Sequence, residues 1–119
     1  DGMDEISITA PTSVCEFSEG NIREYTISPT DFNMEFAKKE EILGGEPEGN
    51  AEITRQILEG KEGAKRNTVL MNAGAALFIA GAAKSIKEGI ELAAKVIDKG
   101  IAKEKLKEFI LLSNKEVNV

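Results

Sequence analysis

Histidine and tryptophan are absent from this 119-residue chain, and cysteine and tyrosine occur once each. Without histidine, no Ser–His or Cys–His pair can activate a nucleophile, and no Cys/His cluster can bind zinc. The single cysteine, Cys15, cannot form an internal disulfide. Because it lies in an alternating, strand-like pattern, we predict that Cys15 is a small residue that faces the core.

Long hydrophobic runs and an excess of basic residues are missing too. The most apolar stretch, residues 69–83, contains Asn72 and is shorter than the ~20 residues that a membrane-spanning helix needs. The net charge of -6 disfavours binding to a phosphate backbone. No basic segment followed by an apolar core opens the sequence, so we predict no signal peptide. These features predict a cytoplasmic location, with neither nucleic acid nor membrane as a partner.

Phosphate-binding loops of the G-x-x-x-x-G-K-[ST] or G-x-G-x-x-G type are also absent. What the chain has is an ordinary composition for one globular domain, with 41% hydrophobic and 30% charged residues. Gly44 and Gly45 lie in the most loop-like stretch of the chain. We expect them to form a flexible junction rather than a phosphate cradle.

The hydrophobic period changes along the chain, from a β-like segment over residues 1–34 to a helical segment over residues 35–119. Three short runs alternate in the first segment, over residues 6–10, 13–17 and 22–27. Gly20 and Asn21, which tolerate positive φ, predict that the last two runs form a hairpin. A sheet this small is marginal alone, so we expect its other strands to lie outside this chain.

About four helices are predicted in the second segment. Asn50 is expected to cap the first, which covers residues 51–59, and the second covers residues 64–80. Ser85 and Glu88 have the spacing of a capping box and mark the start of the third. The last helix is expected to carry three apolar residues inward, Leu106, Phe109 and Ile110. The predicted fold class is therefore α/β, with a short hairpin followed by helices.

The residues that are the best candidates for a chemical role lie directly before the first alternating run. This stretch is Asp1-Gly2-Met3-Asp4-Glu5. Carboxylate oxygens suit Mg²⁺, which keeps several waters and bridges to substrate phosphates. From chemistry alone, an ordinary solvated acidic loop is the alternative.

Two polar features of the second predicted helix also need an interpretation. Lys65, Arg66 and Asn67 could meet an anion at the positive end of that helix, or they could form a surface cluster paired with Glu62 or Glu59. Asn72 lies in an apolar context. We expect its amide to be hydrogen-bonded, because an unpaired buried amide costs ~1–3 kcal/mol.

Read in order, a succession of strings resembles the anthranilate phosphoribosyltransferase family. The first are D-G-x-D-E-x-S at residues 1–7 and P-x-D-F at residues 29–32. Further strings follow almost to residue 110: Gly44-Gly45, Glu48-Gly49-Asn50-Ala51, Lys65-Arg66-Asn67, Leu70-Met71-Asn72-Ala73-Gly74-Ala75-Ala76-Leu77 and Ser85-Ile86-Lys87-Glu88-Gly89. The specificity of the resemblance comes from this succession more than from any single motif.

The resemblance implies transfer of a phosphoribosyl group from phosphoribosyl pyrophosphate to anthranilate in tryptophan biosynthesis. It also implies that Asp4 and Glu5 bind Mg²⁺ that holds the diphosphate, and that the complete enzyme is a homodimer. The chain would be the C-terminal portion of the family's α/β domain. The family's Gly-rich loop and anthranilate-contacting residues lie upstream and have no counterpart here, so we expect this portion alone to be inactive.

Two other functions remain open at this point. The chain could be a non-catalytic, acidic module that presents its helices to a protein partner. It could also belong to a related enzyme of the pyrimidine nucleoside phosphorylase type, since those enzymes share the fold. The residues that would choose between acceptors are not in this sequence.

Overall fold

The structure, a computed structural model, describes residues 1–115. Two strands come first, β1 (Thr12–Ser18) and β2 (Asn21–Ile27), followed by a 3₁₀ helix at Pro29–Phe32. The α-helices are α1 (Lys39–Ile42), α2 (Pro47–Leu58), α3 (Ala64–Ile79), α4 (Ile86–Asp98) and α5 (Ile101–Ser113). The predicted order of a hairpin followed by helices is confirmed. No helix within residues 1–115 combines the length and apolarity that crossing a membrane requires.

The two strands form an antiparallel hairpin in which Ser18 lies opposite Asn21. Its turn residues, Glu19 and Gly20, have φ of 50° and 80°. A two-residue hairpin turn of this kind needs positive φ at both positions, because its twist must match that of the strands. The sequence-based choice of Asn21 as a turn residue was therefore wrong, since Asn21 is already paired within the ladder.

The prediction that Cys15 faces the core was also wrong, because this residue is exposed. Successive side chains of a strand point to opposite faces. The neighbours Val14 and Glu16 are half-buried, so they occupy the face of β1 that meets the rest of the chain. Cys15 occupies the other face, which nothing in the described residues covers.

Residues 6–10, predicted as a strand, form irregular backbone instead. The sheet in the described residues contains β1 and β2 alone, so the segment has no strand to pair with. Consecutive Ser7 and Ile8 are both buried, at 3% and 0% exposure, which a strand with one covered face does not allow. The Ile8 carbonyl instead accepts a hydrogen bond from the Ala37 N–H at 3.0 Å.

Helix α2 begins at Pro47 rather than at residue 51, because proline is favoured in a first helical turn. Asn50, predicted as the N-cap, lies inside the helix. Its side-chain amide accepts from the Gly45 N–H and donates to the Gly45 carbonyl, both at 2.8 Å. A Cβ on Gly44 would lie 2.7 Å from Asn50 Oδ1. The glycine pair is therefore a junction held by Asn50 rather than a loop without contacts.

The core lies where α3 packs against α4 and against the segment before the hairpin. Its buried cluster consists of Ile8, Leu70, Met71, Ile90, Ala93 and Ile97. At the centre, two glycines bring the helix backbones together: a Cβ on Gly89 would lie 2.2 Å from the Gly74 carbonyl oxygen, and a Cβ on Gly74 would lie 2.6 Å from the Ile90 nitrogen. Backbone atoms cannot move aside as a flexible side chain can, so no larger residue fits at either position.

Both of the last two helices test the predictions made for them. The Glu88 N–H donates to Ser85 Oγ at 3.1 Å, which confirms Ser85 as the N-cap of α4. The Glu88 carboxylate returns to the N–H of Lys84, at 3.0 Å, rather than to that of Ser85. In α5, Leu106 is half-buried, whereas Phe109 and Ile110 are 66% and 49% exposed. Their predicted inward orientation was wrong, because the described part of the chain puts no element against them.

We predict that Gly89→Ala destabilises the fold by roughly 1–3 kcal/mol, because the methyl group collides with the α3 backbone. This loss exceeds the gain of about 1 kcal/mol that alanine brings to a helix interior. The control is Gly49→Ala in α2, where a Cβ meets nothing within 4 Å and stability should rise. Urea unfolding followed by circular dichroism measures both, and a stabilised Gly89→Ala variant would contradict the close contact.

We also predict that Ser85→Ala lowers the free energy of unfolding by ~0.5–2 kcal/mol, because the Glu88 N–H loses its acceptor. The same urea titration measures the change. Ser13→Ala is a suitable control, since Ser13 is exposed and its hydroxyl has no partner within residues 1–115. An unchanged midpoint for Ser85→Ala would show that the observed cap contributes nothing.

Candidate functional site

The acidic stretch at residues 1–5 is followed by Ile6, whose backbone is hydrogen-bonded to Asn72 of α3. The Ile6 N–H donates to Asn72 Oδ1, and the Asn72 amide donates back to the Ile6 carbonyl, both at 3.0 Å. A third bond, also 3.0 Å, runs from the same amide to the carbonyl of Thr68. The expectation that Asn72 is hydrogen-bonded is confirmed, and its partner is the backbone directly after Glu5.

Asp1 links the start of the acidic stretch to the residues that follow Ile6. Its Oδ2 accepts from Ser7 Oγ at 2.6 Å and from Thr9 Oγ1 at 2.5 Å. Ser7 Oγ in turn accepts from the N–H groups of Thr9 and Ala10, at 3.0 and 3.2 Å. The sequence analysis assigned no role to these side chains. The signal that could have revealed them is the pair of hydroxyl residues two positions apart, since Ser and Thr readily bond to nearby backbone.

Asp4 and Glu5 are both exposed, and no hydrogen bond or ion pair in residues 1–115 uses either carboxylate. Of the three acids in the stretch, Asp1 is thus engaged within the loop, whereas Asp4 and Glu5 can accept external partners. No set of three or more His, Cys, Asp or Glu side chains in the described part of the chain could hold a metal. Two uncommitted carboxylates fit Mg²⁺ shared with a substrate phosphate, and they do not fit a metal held by protein alone.

Asp4 and Glu5 lie at one side of a cleft of about 630 Å³ between the loop, the hairpin and α3. Apolar residues also line the cleft, among them Val14 and Phe17 from β1 and Phe78 and Ile79 from α3. Phe17 is 73% exposed and Ile79 is 77% exposed. The cleft therefore combines acidic groups at its rim with apolar walls that the described residues leave uncovered.

The hairpin wall of the cleft contains one charged network. Arg23 Nη2 donates to Glu16 Oε1 at 3.0 Å, and Tyr25 Oη donates to Glu16 Oε2 at 2.9 Å. These bonds hold the pKa of Glu16 below its ordinary value of 4.5, and burial raises the pKa of Tyr25 above 10.0. Because the Glu16 pKa is lowered, its contribution to stability is present above pH 4.5 and is lost as the pH falls through the folded value.

One interpretation of the sequence was that Lys65 and Arg66 pair with Glu62 or Glu59. Neither residue makes such a pair in the described part of the chain. Lys65 Nζ donates to the carbonyls of Glu41 and Leu43, at 3.0 and 2.5 Å. Arg66 is 8% exposed and pairs with Asp98 at 2.7 Å, which ties the start of α3 to the end of α4. Both cations therefore connect elements of the fold and lie apart from the acidic loop.

Residues 1–103 match the a/b domain of the glycosyl transferase family. The chain belongs to that family. Its relatives include the anthranilate phosphoribosyltransferase of Methanobrevibacter smithii, 51% identical over 114 residues that cover 96% of this chain and 34% of the relative. The enzyme of that name from Alkaliphilus metalliredigens is 48% identical and is covered to 33%. The resemblance found in the sequence is thus confirmed, and the chain spans about a third of the length of these relatives.

Solved structures of the same family confirm the fold. The anthranilate phosphoribosyltransferase of Thermus thermophilus superposes with a TM-score of 0.84 at 32% identity, over 93% of this chain and 33% of that one. A variant of the Saccharomyces cerevisiae enzyme, with Mg bound, gives a TM-score of 0.79 at 26% identity, over 92% of this chain and 32% of that one. The acidic loop and its supporting helices therefore belong to a fold that recurs in the transferase family.

We predict that Ser7→Ala destabilises the chain by about 1–3 kcal/mol. The substitution leaves the half-buried N–H groups of Thr9 and Ala10 without their acceptor and removes a donor from the Asp1 carboxylate. The three lost hydrogen bonds, one of them to a charged group, together account for this cost. The control is again Ser13→Ala. Thermal unfolding of the three proteins measures the effect, and equal midpoints for both variants would rule out the Ser7 network as a support of the loop.

Proposed function

We propose that this chain is part of a transferase that moves the phosphoribosyl group from phosphoribosyl pyrophosphate to the amino group of anthranilate, in the cytoplasmic synthesis of tryptophan. The observation that carries the proposal is the 51% identity to a relative named anthranilate phosphoribosyltransferase, over 96% of the chain. The structure supports it with two uncommitted carboxylates beside a cleft. In this proposal, the parent protein releases pyrophosphate as the leaving group.

In the proposed site, Asp4 and Glu5 supply oxygen ligands to Mg²⁺. The metal, when bound, would neutralise negative charge that develops on the departing pyrophosphate. Asp1 has a different task, because its carboxylate is occupied by Ser7 and Thr9. Asp1 holds the two ends of the loop together, and the carboxylates of Asp4 and Glu5 stay exposed.

The remaining parts of the reaction site are assigned to the portion of the relatives that this chain does not match. That portion would supply a Gly-rich phosphate loop, the contacts to anthranilate and the surface of a homodimer. Two features support this division. The sheet within residues 1–115 has two strands, and Phe17 and Ile79 leave apolar surface exposed at the cleft. With a net charge of -6 and no phosphate loop, the chain alone is expected to be inactive.

The decisive experiment grafts this chain in place of the matching third of the Methanobrevibacter smithii relative and measures anthranilate consumption. With Asp4→Asn and Glu5→Gln together, the loop keeps its shape and some oxygen ligands but loses two charges. Turnover is expected to fall about ten- to a thousand-fold, equal to roughly 1.4–4 kcal/mol of barrier. The Mg²⁺ concentration for half-maximal rate should rise, while anthranilate binding should barely change.

The matched control is the pair Glu24→Gln and Glu35→Gln, which also removes two exposed carboxylates but far from the acidic loop in sequence. Identical turnover and Mg²⁺ dependence in parent and loop variant would reduce Asp4 and Glu5 to an ordinary acidic turn. A chimera that converts pyrimidine nucleosides instead of anthranilate would replace the proposed acceptor. A chimera without any Mg²⁺-dependent phosphate binding would favour a non-catalytic interaction module.

A further inference from the structure

The contact between Asn72 and Ile6 joins the acidic loop to the centre of the helical core. A side-chain amide that accepts from one residue's N–H and donates to its C=O reproduces the paired hydrogen bonds that a neighbouring strand would make. Here both bonds measure 3.0 Å and connect residues 66 positions apart. The residue that follows Glu5 is therefore fixed at both of its backbone polar groups.

Asn72 is itself held firmly. Its second N–H donates to the Thr68 carbonyl one turn earlier in α3, at 3.0 Å. With that bond, both amide hydrogens and the oxygen are engaged. The helix beneath it cannot shift easily, because Gly74 is in backbone contact with α4. The tight contact between α3 and α4 therefore fixes Asn72, and Asn72 in turn fixes the backbone of Ile6.

Within the loop, the side chains of Asp4 and Glu5 are exposed while the backbone on either side of them is anchored. Asp4 and Glu5 have no partner of their own within the described residues, and both are exposed, so their position depends on the backbone around them. That backbone is anchored by Asp1 on one side and by Ile6 on the other. Two carboxylates bind a metal better when their backbone is already in place, because less conformational freedom is lost on binding.

We propose that Asn72 is a positioning residue for the metal-binding carboxylates: through Ile6, it holds Asp4 and Glu5 in the arrangement that takes a divalent cation. This inference rests on the metal role proposed above for the two acids. It assigns Asn72 no contact with the metal or the substrate. The prediction is that removing the amide weakens cation binding at residues that the substitution does not touch.

The test uses the ¹⁵N-labelled chain with inorganic pyrophosphate as the shared phosphate ligand. Mn²⁺ serves as a paramagnetic substitute for Mg²⁺, and no catalytic activity is needed. Mn²⁺ broadens the amide signals nearest to it, so a titration gives the concentration at which the Asp4 and Glu5 signals are lost. The variants are Asn72→Leu, which keeps the branching at Cγ but removes the polar atoms, and Asn72→Ala in case leucine prevents folding. Asn67→Leu is the control, because it makes the same change on the same helix and Asn67 has no side-chain hydrogen bond in the described residues.

In the Asn72 variants, hydrogen exchange of the Ile6 amide should become about tenfold faster, as expected for a lost hydrogen bond. The Mn²⁺ concentration for half-broadening should also rise about tenfold, a typical effect of removing a group that orients metal ligands. Asn67→Leu should leave both values unchanged. In the parent chain, saturating Mg²⁺ should slow exchange of the Ile6 amide, which provides a measurement without any substitution.

The outcomes separate the two proposals. Faster Ile6 exchange with unchanged Mn²⁺ broadening would overturn the positioning role alone and leave Asn72 as a structural residue. Unchanged Ile6 exchange in the parent chain at saturating Mg²⁺ would also overturn it, provided that Mn²⁺ broadens the Asp4 and Glu5 signals. Absence of that broadening in the parent chain would instead overturn the metal role of the two acids, and the positioning role with it.

Discussion

The backbone contact between α3 and α4 is the constraint on which the rest of the structure depends. Gly74 and Gly89 let the helices approach until main-chain atoms touch. Leu70, Met71 and Ile90 belong to the buried cluster to which the same two helices contribute. The Arg66–Asp98 ion pair fixes the same two helices at their other ends. Because α3 also carries Asn72, the geometry of the helix crossing determines where the acidic loop can lie.

Side-chain amides take the place of missing strands at two points in this fold. Asn72 brackets the peptide groups of Ile6, and Asn50 does the same for Gly45. In both cases a helix holds an irregular segment through one residue, which satisfies a backbone donor and acceptor together. Irregular backbone needs such partners, since it has no ladder of its own. The device explains how the segments on either side of the hairpin stay ordered beside so small a sheet.

How much the sequence revealed depended on whether a feature was local. The hairpin, α3 and the Ser85 cap follow from short-range patterns, and each was predicted. The alternation at residues 6–10 misled, because neither of its buried residues has a strand partner within residues 1–115. Ile8 packs against the distant helices α3 and α4, and Ser7 is bonded within its own loop. Asn50 was misplaced for a similar reason, since a cap and an inward amide need the same residue type. Asp4 and Glu5 could be named only from the family resemblance, and their support by Asn72 required the three-dimensional contact.

The small sheet has a consequence for how the chain behaves in solution. In a two-stranded sheet each strand is an edge, so both β1 and β2 present unpaired backbone groups that could template association with another chain. Phe17 and Ile22, opposite each other near the turn, are 73% and 69% exposed and add apolar surface there. The exposed charge of Arg23 on β2 counters that hazard, because charged side chains on an edge strand disfavour pairing with another chain.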